Sequence, residues 1–138
     1  MRLQAEAVFR PRGDMGRFIE AKVTPAVLAA TTKALELIKD TAQSIVPVDT
    51  GALRESIEVE IRETGKTVVG VVGPNVPYAL YVEFGTGIAG AASAGAGAGP
   101  YSTSWPGMPA QPYMRPAVDE NEKKIKDLYI GEIGMRLR

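Results

Sequence analysis

The sequence predicts an α+β fold, a long N-terminal helix packed on a small antiparallel sheet, with short helices and a C-terminal helix. Three observations predict it. Val27, Leu28, Thr31, Ala34, Leu35, Ile38, Ala42 and Ile45 recur every three or four residues, one apolar stripe on a helix of about six turns. Ile57, Val59 and Ile61 alternate with Glu58, Glu60 and Arg62, and a turn then leads into the β-branched run Thr67–Val72. Helical spacing returns after Pro116, with Val118, Ile125, Leu128, Tyr129 and Ile133 on a thinner apolar face.

Taken in order, the 138 residues read as one domain. Residues 1–13 alternate loosely and form an N-terminal arm or an edge strand. Arg12-Gly13-Asp14 matches a cell-adhesion tripeptide by letter, but three letters carry almost no specificity and read as a turn. Asp14 is a candidate cap for a short helix, Met15 to Val23. Thr24-Pro25 is a fresh helix start, a capping hydroxyl before a proline at the first helical position, so the long helix covers 25–46. Pro47 stops it.

Residues 52–84 form a helix–hairpin–helix unit. Asp49 or Thr50 caps the short helix Ala52–Ser56 through a side-chain oxygen. Glu63-Thr64-Gly65-Lys66 supplies the hairpin turn, and Gly73-Pro74 closes the second strand. A further short helix, Tyr78–Phe84, ends on Gly85. It is apolar on nearly every side, which calls for burial in its own core or in a neighbour's.

Residues 85–112 are an Ala/Gly/Pro-rich loop. Gly85 to Gly99 holds six glycines and six alanines, and no charge occurs from Phe84 through Met114. Such chain is costly to order, so a mobile loop that orders against a neighbouring subunit is expected. Tyr101, Trp105 and Met108 give its far end contact surface. In 113–138, Tyr113-Met114-Arg115 reads as a short strand and Pro116 as the start of the last helix.

Composition excludes several functions. Sixteen lysines and arginines balance sixteen aspartates and glutamates, so no basic excess marks a nucleic-acid binder. With no cysteine and no histidine, thiolate chemistry, the commonest general base and the commonest transition-metal ligand are all missing. Glu58 and Glu60 lie on one strand face about 7 Å apart, a spacing seen in glycoside chemistry, but strand alternation gives it routinely. Asp49 with Glu55 suggests a cation site only until Asp49 is read as a cap. The glycines of 85–99 lack the lysine and hydroxyl of a phosphate-binding loop. No catalytic, cofactor or metal site is therefore expected. There is no apolar run of membrane-spanning length, and synthesis in a cytoplasm is expected.

Three islands carry a resemblance. Val46-Pro47-Val48-Asp49-Thr50-Gly51-Ala52-Leu53-Arg54-Glu55-Ser56-Ile57 ends a long helix. Tyr78-Ala79-Leu80-Tyr81-Val82-Glu83-Phe84-Gly85-Thr86 follows a hairpin, and Pro112-Tyr113-Met114-Arg115-Pro116-Ala117 precedes a terminal helix. In that order they resemble the small neck proteins of long-tailed bacteriophages, the tail-component, tail-completion or head–tail joining proteins. The resemblance spans roughly residues 25 to 130; Ile88–Ser104 is longer than the family pattern and the N-terminal arm matches it poorly.

It implies a virion protein at the head–tail junction, a ring of six subunits around the DNA channel, with no cofactor and no catalysis. Its partners would be other copies of itself, the head connector or adaptor, and the tail terminator or tail tube protein. DNA would pass through without sequence-specific binding. On this reading Tyr78, Tyr81, Val82, Phe84, Tyr101, Trp105 and Met108 meet a subunit or partner. Glu58 and Glu60 line the channel and repel phosphates, unless theirs is a merely solvated face. The rivals are a tail terminator capping the tail tube, a small regulatory protein-binding module, and a peptidoglycan-cleaving enzyme built on Glu58 and Glu60.

Overall fold

The computed structural model describes residues 3–8, 13–65, 67–86 and 107–137. Strand β1 is Leu3–Val8, helix α1 Gly13–Ile45, helix α2 Ala52–Glu55 and strand β2 Ile57–Thr64. Strand β3 is Thr67–Pro74, helix α3 Ala79–Phe84 and helix α4 Met114–Arg136. The fold is α+β, as expected. The three strands form an antiparallel sheet in the order β1-β3-β2, with Leu3 and Val59 opposite Val72 and Ala5 and Ile61 opposite Gly70.

Strand alternation decides which face is covered. Val68, Gly70 and Val72 of β3 are buried, and Ile57 of β2 is fully so, while Glu58 and Arg62 are exposed. The buried face receives α1 through Leu35, Ile38 and Ala42. The approach is closest at Gly70, where a β-carbon would lie 2.8 Å from Cγ2 of Thr31 and closer still to Leu35.

Helix α4 runs antiparallel to α1, because its later residues meet earlier ones of its partner. Tyr129 and Thr31 share a hydrogen bond of 2.6 Å between hydroxyls, Lys33 pairs with Glu132, and the Asn121 amide donates to Thr41 Oγ1 at 2.8 Å. This seam contains more polar side chains than the apolar spacing of 118–133 suggests. Ala117, Asn121 and Glu132 are buried there, while Val118, Ile125, Leu128, Tyr129 and Ile133 are only half-buried. Asn121 also donates to the Ala117 carbonyl at 2.8 Å. Asn121→Ala removes both bonds and leaves the Thr41 hydroxyl without this donor, so it should lower stability by about 1–2 kcal/mol in urea unfolding.

Several expectations are corrected. The helix restart at Thr24-Pro25 does not occur: α1 is one helix of 33 residues with Pro25 inside it. A proline there removes one backbone bond, at a cost of about 3 kcal/mol. Burial of Val23, Ala26 and Ala30 on either side offsets that cost and carries the helix through. Gly13 and Asp14, read as a turn, already belong to α1. Ile45, read as part of the buried stripe, is exposed, and Val46 is buried in its place.

Helix α2 is capped by neither Asp49 nor Thr50 in the usual sense. Its N-cap is Gly51 at φ 87°, and the Thr50 hydroxyl accepts only from the Ala52 amide at 3.3 Å. Tyr113-Met114-Arg115 is not a strand, since Met114 and Arg115 open α4.

Candidate assembly surface

Helix α3 inverts the usual sorting of polar and apolar side chains. Its one charged residue, Glu83, is 3% exposed, whereas Tyr81 and Phe84 are 43% and 42% exposed and Tyr78 and Leu80 are also open to solvent. A carboxylate is buried only where hydrogen bonds replace its water. Here they come from the start of α4. Glu83 Oε2 accepts from the amides of Tyr113 at 2.8 Å and Met114 at 3.0 Å, and Oε1 accepts from that of Arg115 at 3.1 Å.

These are donors that a helix start leaves without internal partners, at the end where a negative charge is favoured. No Ser, Thr, Asp or Asn occupies 111–115 to do this locally. Glu83 is a cap supplied from thirty residues away. Tyr113 completes the latch: it is fully buried and its hydroxyl donates to the Ala79 carbonyl at 3.4 Å. Burial first, then the nearby Glu83 carboxylate and Tyr78, pushes this phenol well above the ordinary tyrosine range, so it remains a neutral donor.

With Glu83 facing inward, the aromatic side chains of so short a helix are left facing out. The returning chain is fixed alongside. Thr86 N–H donates to the Met108 carbonyl at 2.8 Å, Met108 N–H to Thr86 Oγ1 at 3.0 Å, and Gln111 N–H to the Val82 carbonyl at 2.8 Å. Between this segment, α3 and the loop after α1 lies a groove of about 510 Å³. Val48, Leu53, Tyr78, Val82 and Met108 give it apolar walls, with the Asp49 carboxylate in the lining.

Tyr78, Tyr81, Val82, Phe84 and Met108 thus belong to one end of the molecule, three of them lining the groove. Tyr101 and Trp105, with residues 87–106 of the loop expected to order on a neighbour, lie outside the described residues. Glu58 and Glu60 are elsewhere, on the uncovered sheet face with half-buried Val69 and Val71. Glu58 is exposed, and Glu60 is half-buried and accepts from Arg62 Nε at 2.7 Å. The guanidinium offsets part of the acidic character expected of this strand.

Sequence reasoning missed Leu80 and Val48 as exposed apolar residues and Glu83 as the cap. One signal for Glu83 was present: it is the single charge between Lys66 and Arg115. Among the described residues, no cluster of acidic side chains is arranged to hold a metal ion and no helix is long and apolar enough to cross a membrane.

A family model described as "Bacteriophage HK97-gp10, putative tail-component" matches residues 14–85, just over half of the chain. The match runs from the start of α1 through the end of α3, and so includes the sheet hairpin and the aromatic helix. No curated protein and no solved structure matches the chain.

Proposed function

Because the chain belongs to this family of bacteriophage tail components, we propose that it is a non-enzymatic ring subunit that completes or joins the tail at the head–tail junction. The family gives the coarser part, a structural role in the tail of the virion. The exposed aromatic end supports the finer part. Tyr78, Leu80, Tyr81 and Phe84 are held outward by the buried Glu83 beside an apolar groove, and large exposed apolar surface of this kind is usually covered by a partner.

Tyr78, Tyr81, Val82, Phe84 and Met108, together with Tyr101 and Trp105, form the contact with another copy, the head connector or adaptor, or the tail terminator or tube protein. A ring, six-membered in this reading, requires each subunit to give one surface and receive another. Glu58 and Glu60 face the channel through which DNA passes. A tail terminator would use the same surfaces, and placement at either end of the junction distinguishes the two.

The aromatic end is tested by Tyr81→Glu and Phe84→Glu. Both side chains are already substantially exposed, so each variant should unfold within about 0.5 kcal/mol of wild type. Each should nevertheless be excluded from tailed particles when it replaces the natural chain. Incorporation of both at the wild-type level would overturn the assignment of this surface.

A further inference from the structure

Among the described residues, the large exposed apolar side chains form two groups. Ile45, Val48, Tyr78, Leu80, Tyr81 and Phe84 belong to the end of α1, the loop that follows it, and α3 with its N-cap. The other group, Ile130, Met135 and Leu137, belongs to the last turns of α4 and its C-cap. Ile130 is 71% exposed and Leu137 is open as well; with half-buried Ile133 between them they stand at i, i+3 and i+7, one stripe along the helix. Ile130 and Leu137 point away from α1, because Asn121 and Glu132, which touch α1, are on the opposite side of the helical wheel; Ile133, one turn after the α1-bonded Tyr129, lies at the edge of the seam.

The two groups cannot meet within one chain. Glu83 holds α3 against the start of α4, and the stripe lies at the far end of the same 23-residue helix, roughly 25–35 Å away. A molecule with unlike apolar surfaces at opposite ends is suited to head-to-tail contact with copies of itself.

We infer that the Ile130–Ile133–Leu137 stripe of one copy lies in the groove of the next copy, between Val48, Leu53, Tyr78, Val82 and Met108. This inference rests on the proposed assembly role of the α3 surface. The occupant is an amphipathic helix entering an apolar groove, with anchors at the spacing that this recognition mode uses. Charge complements it. The groove carries the exposed Asp49, and the stripe is flanked by the exposed Arg136, while Lys126 on its other side pairs with Glu122 at 3.2 Å. Arg136 approaches Asp49 of the neighbouring copy at the rim, where opposite charge fixes orientation more than it adds affinity. Repeating the contact around an axis closes a ring in which every copy both gives a helix end and receives one.

The chain has no cysteine, so a cysteine pair reports on this contact without background. Val48→Cys and Leu137→Cys are combined in one chain and oxidised, both in concentrated purified protein and in assembled particles. The expected result is a ladder of cross-linked dimers, trimers and higher species ending in a closed ring. Each single variant should give at most dimers.

Asp49→Arg or Arg136→Asp in the paired-cysteine chain should each lower the cross-link yield by about tenfold, and the two together should restore it. A double-cysteine chain that gives no species beyond those of the single variants in either preparation overturns the inference. If that happens while Tyr81→Glu and Phe84→Glu are still excluded from particles, the α3 surface stands and the helix end is not its partner. If those variants also assemble normally, the assembly reading itself fails.

Discussion

Glu83→Ala should lower the unfolding free energy by roughly 3–5 kcal/mol, since three amides lose a charged acceptor at about 1–3 kcal/mol each and the Arg115 amide recovers some water. That is a large share of the ~5–15 kcal/mol that holds a typical domain together. Glu83→Gln keeps one carbonyl oxygen of similar size but removes the charge, so about half of the loss is expected. Urea unfolding followed by far-ultraviolet circular dichroism measures both. A local change should appear first in hydrogen exchange, with faster exchange at the amides of Met114 and Arg115. A stable Glu83→Ala variant with unchanged protection at α4's first turn would mean that the carboxylate is not its cap.

A second large effect is expected at Gly70, where α1 sits directly on β3. A β-carbon there meets Thr31 Cγ2 at 2.8 Å and Leu35 closer still, and Leu35 is itself buried. Gly70→Ala therefore overpacks the helix–sheet seam and should lower stability by about 1–3 kcal/mol, with Gly70→Val lower again. Leu35→Ala alone also destabilises, by about 2–5 kcal/mol, through lost burial. The double variant Gly70→Ala with Leu35→Ala should lose less than the sum, because the truncated leucine makes room for the new methyl group. Coupling of about 1 kcal/mol or more in a double-mutant cycle is the expected signature. Strict additivity would place the clash elsewhere.

Much of the fold was legible in the sequence because it rests on local period. The helical stripe of 27–42 and the strand alternation of 57–62 each reflect a face turned to one neighbour, and such faces repeat along the chain. Features set by contacts between distant segments were not legible. Pro25 reads as a helix start in isolation, yet the buried Val23, Ala26 and Ala30 continue the helix across it. Residues 113–115 look extended beside Pro112 and Pro116, yet Glu83 supplies the acceptors that let Met114 and Arg115 begin a helix.

The candidate site was partly legible for the same reason. An apolar segment at 78–84 called for burial in its own core or in a neighbour's, and Tyr78, Val82 and Met108 line one groove. Which way the helix faces was not readable, because that depends on where Glu83 finds its donors. Glu58 and Glu60 were readable as the uncovered strand face, but the pairing of Glu60 with Arg62 two residues on was not. The resulting arrangement has a consistent physical logic. A buried carboxylate ties the second and third sequence islands together, and doing so turns four apolar side chains outward beside a groove.

The most direct test of the assembly account is the copy number of this chain in purified tailed particles, measured by quantitative mass spectrometry against the tail tube protein. The account predicts a small fixed number of copies per particle, one ring's worth, with Phe84→Glu reducing it to background while the purified variant stays folded. Absence of the wild-type chain from particles, or equal incorporation of Phe84→Glu, would contradict it.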